Sequence, residues 1–147
     1  MNIKIKNYRS EVPAEQSIRR IEDTLIAMGA SSIAKEYNDG KVVAISFAIK
    51  RSEGIVPFKL PAKKDALKKL FLSKNGRPTD AQVKNADKQA ERTAWKNIKE
   101  WVEIQATMVA LEQVEFMEVF MPYVYSLEHG KTFFEIAKSS NFKELPR

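Results

Sequence analysis

From Ala86 onward a small or aliphatic residue returns at every fourth position: Ala86, Ala90, Ala94, Ile98, Val102 and Ala106. At 100° per residue, a four-residue repeat keeps one row along an α-helix while turning it slowly round the axis. No proline or glycine interrupts the row, so the spacing predicts one continuous helix. Thr79 and Gln82 sit three apart as a capping-box pair, which places the start near residue 80. The pattern continues to roughly Glu112, a rod of about 50 Å. Alanines along it permit close approach of another element. That element is either the sheet of the same chain or a second copy, so homo-oligomerisation stays open.

The residues before this rod alternate between helix and strand signals. Ile18, Ile21, Leu25 and Met28 mark one apolar stripe of a helix that begins near Pro13 and stops at Gly29. Asn38-Asp39-Gly40 is a hairpin signal. It joins a strand over Ser32–Tyr37 to a clear strand over Lys41–Lys50, where Val43, Ile45, Phe47 and Ile49 share one face. A third strand runs over Ile55–Leu60, and Pro57 marks it as an edge or bulged strand. Ile3 and Ile5 alternate with polar residues, which suggests a short fourth strand.

A short helix with Leu67, Leu70 and Phe71 follows Pro61. After the long rod come a helical segment ended by Pro122, an extended stretch over Tyr123–Leu127, and a last helix capped by Thr132. The fold class expected is α+β: a small antiparallel three- to four-stranded sheet packed against helices, including one long helix in the C-terminal half. Residues 1–147 suit a single domain of ordinary size. A flexible loop is expected at about 73–79, around Asn75-Gly76-Arg77-Pro78, and a frayed tail at about 139–147.

Charge is distributed unevenly. The net charge is +6, yet residues 59–99 alone carry +8 and residues 100–147 carry −4. Lys84, Lys88, Arg92 and Lys96 form a second row on the long helix, two residues or about 200° away from the alanines. Lys63 and Lys64 lie on the preceding basic segment, which also contains Lys68, Lys69, Lys74 and Arg77. A row of cations neutralises phosphates and releases counterions. Lysine rather than arginine, asparagine or glutamine favours contact with the backbone over base reading. The bland account is a solvated helix face, with Asp87 and Glu91 as local ion partners. The aromatics Phe116, Phe120, Tyr123, Tyr125, Phe133 and Phe134 gather in the acidic third, away from the cations. That placement suits a core or an interface better than a base-stacking platform.

Catalytic chemistry finds little support. There is no cysteine, one histidine (His129, in a turn) and only five scattered glycines. Thiol nucleophiles, zinc-thiolate centres and phosphate-cradling glycine loops are therefore excluded. Glu112, Glu115 and Glu118 fall at spacings of three, as do Glu100 and Glu103. The first trio leaves a divalent-cation site open, with a solvated helix face as the alternative. No enzyme activity and no cofactor are expected. Met1–Lys6 is followed by no apolar run, so no signal peptide is expected, and no stretch approaches a membrane span.

Several segments resemble a group of small proteins encoded by bacteriophages and prophages. They are Tyr37–Gly40 with Ile45–Ile49, Phe58–Ala62, Ala94–Glu103, Glu118–Tyr123 and Gly130–Thr132. The resemblance implies a context rather than a reaction: a binding protein in the cytoplasm of a bacterial host cell. Two roles fit. One is nucleic-acid binding through Lys63, Lys64, Lys84, Lys88, Arg92 and Lys96. The other is counter-defence inhibition, either by binding a host defence protein or by sequestering a nucleotide signal. Neither role involves the membrane.

Overall fold

The computed structural model describes residues 2–73 and 76–146. Lys74 and Asn75, in the loop expected over 73–79, lie outside the described residues, as do Met1 and Arg147. The chain is α+β. In order it forms α1 (Ala14–Ala27), β1 (Ala30–Asn38), β2 (Lys41–Arg51), β3 (Gly54–Pro61), α2 (Asp65–Leu72), α3 (Asp80–Ala110) and α4 (Phe116–Phe120). A 3₁₀ turn (Met121–Tyr123), β4 (Tyr125–Ser126), β5 (Lys131–Thr132) and α5 (Phe133–Ser139) complete it.

Two compact units emerge from these elements. The first comprises Met1–Thr24 and Ala62–Ile104, the second Leu25–Pro61 and Gln105–Arg147. In the first unit, α3 opens as its sequence demands. The Thr79 amide donates to Gln82 Oε1 at 2.9 Å, and the Gln82 amide donates to Thr79 Oγ1 at 3.2 Å. Ala86, Ala90 and Ala94 are buried, as are Thr93, Trp95 and Val102. The apolar stripe of α1 is buried at Ile18 and Ile21.

The N-terminal segment departs from expectation. Among the described residues no strand pairs with Asn2–Ile5, and Ile3 and Ile5 are exposed. Alternation is only half of a strand; the other half is a partner edge. The segment that follows lies along α3 instead. Thr93 Oγ1 donates to the Asn7 carbonyl at 2.8 Å, and Gln89 Nε2 donates to the Tyr8 and Ser10 carbonyls at 3.2 and 3.1 Å. Asn7 Nδ2 donates to Asn97 Oδ1 at 2.8 Å and to Glu100 Oε2 at 3.1 Å. Gln89, Thr93, Asn97 and Glu100 are spaced four, four and three apart, so they form one face of the helix.

In the second unit β1, β2 and β3 form an antiparallel sheet in that order. Asn38 pairs with Lys41 across a two-residue turn whose Asp39 and Gly40 have φ of 52° and 75°. Both positive values match the hairpin turn that the Asp-Gly pair predicts. Pro57 sits on β3, an edge strand, where its missing N–H is tolerated. Phe47 of β2 stacks on Phe58 of β3 with ring centroids 4.9 Å apart. Phe116 and Phe120 of α4 stack on each other at 4.6 Å and meet Phe47 edge-on. These four rings make an aromatic core for the unit. A second sheet pairs β4 with β5, and Thr132 caps α5 through a full capping box with Glu135.

The tail expected to fray forms turns. The Phe142 amide donates to the Ala137 carbonyl at 2.8 Å, and the Phe142 ring lies 5.8 Å from that of Phe134. Among the described residues no helix is long and apolar enough to cross a membrane.

Candidate nucleic-acid interface

The basic surface is built on two helices of the first unit. Residues 80–104 of α3 supply Lys84, Lys88, Arg92 and Lys96; the segment entering α2 supplies Lys63 and Lys64. Lys84 and Lys88 are exposed, one helical turn apart, while Ala86 and Ala90 between and beyond them are buried. The 200° offset thus puts this part of the lysine row in water and the alanine row against protein.

Lys63 is exposed as well. Lys64 and Lys68 converge on one carboxylate oxygen of α3: Lys64 Nζ lies 3.0 Å from Asp87 Oδ1 and Lys68 Nζ 3.6 Å from it. Asp87, expected as a local ion partner on α3, thus reaches the α2 side as well. All three side chains are partly withdrawn from water, with 24%, 35% and 19% exposure for Lys64, Lys68 and Asp87. A partly desolvated carboxylate holding two ammonium groups fixes where the basic turn of α2 sits on α3, and leaves that cluster with excess positive charge.

Arg92 and Lys96 have different surroundings from the first half of their row. Arg92 Nε donates to the Ser10 carbonyl at 3.2 Å, and its Nη2 donates to Gln89 Oε1. Lys96 is half-buried. For Arg92 the N-terminal segment is the cause: it lies on the helix face that begins at Gln89, and nothing in the lysine spacing reveals it. Of the six cations, Lys63, Lys84 and Lys88 face water, Lys64 is held by Asp87, Arg92 braces the chain's own backbone, and Lys96 is half-buried.

The acidic candidates are dispersed. Glu112 lies just past the end of α3 in a left-handed conformation (φ 59°). Glu115 is the N-cap of α4, and Glu118 reaches back to it, accepting from the Glu115 amide at 3.1 Å. A spacing of three therefore spans a helix end and a helix start rather than one face. Glu103 pairs with Lys99 at 3.0 Å and Arg20 at 3.3 Å. Burial raises its pKa, but hydrogen bonds and charge from Lys99 and then Arg20 outweigh that and hold it below the ordinary carboxylate value. Among the described residues no group of three or more His, Asp or Glu side chains is placed to hold a metal ion.

The chain matches no family model, no curated protein and no solved structure.

Proposed function

We propose that this chain is a non-enzymatic, phage-type binding protein whose basic helices engage the phosphate backbone of nucleic acid. One observation carries the reading: Lys84 and Lys88 stand exposed on a continuous helix whose opposite row, Ala86 and Ala90, is buried. Lys63 adds a cation from the α2 side, and the Asp87 cluster supports α2 in place. Flexible ammonium groups suit backbone contact with little sequence preference. Fluorescence anisotropy with labelled single- and double-stranded oligonucleotides tests this. Binding at about 50 mM salt that collapses by about 200 mM supports the proposal; negligible binding at about 50 mM overturns it.

A second reading, counter-defence inhibition through a host protein, draws on the second unit. Leu127, Phe133 and Phe134 are 82%, 50% and 44% exposed around the β4–β5 hairpin and the start of α5. Large apolar side chains grouped on a surface are a common feature of protein interfaces. Capture of a specific partner from bacterial lysate at about 300 mM salt, where exposed charges are strongly screened, separates this reading from the first. Sequestration of a nucleotide signal predicts instead a nucleotide that co-purifies, which native mass spectrometry detects.

A further inference from the structure

The second unit contains a cavity of about 510 Å³ that none of the six cations of the basic surface lines. Such a volume falls within the range of small-molecule sites. Its walls are unusual for their smallness. Ala106 and Ala110, one turn apart at the end of α3, and Ala27 at the end of α1 leave space that larger side chains would fill. Its larger apolar lining comes from Met28, Ile49, Val109 and Phe116, all half-buried. Among the described residues two charged side chains line it, Lys50 and Arg51 at the end of β2, and both are cations. Strand alternation places Arg51 on the same face as Ile49, so its guanidinium is the nearer head for a ligand resting on that side chain.

We infer that this cavity binds a small amphiphilic anion, with its apolar body against Phe116, Val109 and the alanines and its anionic group at Arg51. An apolar pocket selects for an apolar body, and two cations with no carboxylate in the lining select against a positive head group. Arg51 already has one long contact: its Nε lies 3.8 Å from Glu53 Oε2, with both side chains well exposed. Glu53 is held in its charged form by its own backbone N–H, by Ser52 and by Arg51. It therefore competes with an incoming anion for the guanidinium, and neutralising it releases Arg51. The inference is independent of nucleic-acid binding.

Titration calorimetry with decanoate, and with nonyltrimethylammonium as a probe of equal tail and opposite charge, tests it. The expected result is saturable one-to-one decanoate binding, at least about tenfold tighter than the cation. Glu53→Gln should tighten decanoate binding about threefold and Arg51→Gln should weaken it by about fivefold or more. Ala110→Phe, at an exposed helix end that tolerates a larger side chain, should narrow the mouth and weaken binding about tenfold while the circular dichroism melt is retained. Absence of saturable decanoate binding overturns the inference. So does equal affinity for the two probes, or unchanged affinity in a folded Ala110→Phe variant.

Discussion

Asp87 Oδ1 holds Lys64 at 3.0 Å, and that contact joins the two basic helices of the first unit. A carboxylate at this point does two opposing things. It fastens α2 to α3, and it subtracts one charge from the surface proposed to meet phosphates. Asp87→Asn separates the two effects. We expect a stability loss of about 0.5–1 kcal/mol, since the pair is only partly buried. Oligonucleotide affinity should rise at low salt, because Lys64 and Lys68 are released. Chemical denaturation and anisotropy on the same variant measure both.

Ser17, on α1, is 1% exposed, and its hydroxyl has no hydrogen-bond partner among the described residues. A buried hydroxyl left unbonded is a desolvation cost without compensation. Alanine removes the hydroxyl and is a better helix former. Ser17→Ala should therefore stabilise by about 1 kcal/mol, a gain of about 2–5 °C in Tm. A fall in Tm would mean that the hydroxyl makes an interaction that matters.

The long helix ends where a glycine would be usual. The Glu112 amide donates to the Val109 carbonyl at 3.1 Å and the Gln113 amide to the Met108 carbonyl at 2.9 Å. This is the paired closure of a Schellman motif, with Glu112 in the left-handed position. A side chain there is strained relative to glycine. Glu112→Gly should stabilise by about 1 kcal/mol and leave the helical signal unchanged, which a thermal melt followed by circular dichroism checks.

Glu103 sets a pH dependence. Its carboxylate sits between Lys99 and Arg20, which keep its folded-state pKa below the value of an unfolded glutamate. The stabilisation is thus fully present above about pH 4.3 and is lost as pH falls through the lower folded value. Glu103→Gln should flatten that part of the stability profile between pH 5 and 2, measured by urea denaturation at stepped pH. An unchanged profile would show that the pair contributes nothing to folding.

Local signals in the sequence were reliable where the chemistry is local. Thr79 with Gln82, Thr132 as the cap of the last helix, and Asp39-Gly40 each satisfy backbone groups within four residues, so the residues alone define the motif. The alanine row was legible for the same reason: a repeat of four has one helical meaning. What was hidden depends on distant partners. Asp87 reads only as a partner on its own helix; its contacts to Lys64 and Lys68 emerge once α2 is docked beside it. Arg92 reads as a solvent-facing cation until Ser10, 82 positions away, covers that face. Ile3 and Ile5 read as a strand because alternation cannot reveal whether an edge is available. The same holds for Glu112 and Glu115, whose even spacing conceals a helix terminus between them.

The most direct test of the account is the salt dependence of oligonucleotide binding by the unmodified chain and by the triple variant Lys63→Gln, Lys84→Gln, Lys88→Gln. For duplex DNA each phosphate neutralised contributes about −0.9 to the slope of log affinity against log salt. The unmodified chain should give a slope of about −2.7 or steeper, and the variant should lose about that much while melting as before. Equal slopes for the two proteins, or no measurable binding by the unmodified chain at about 50 mM salt, would contradict a role for this surface in nucleic-acid binding.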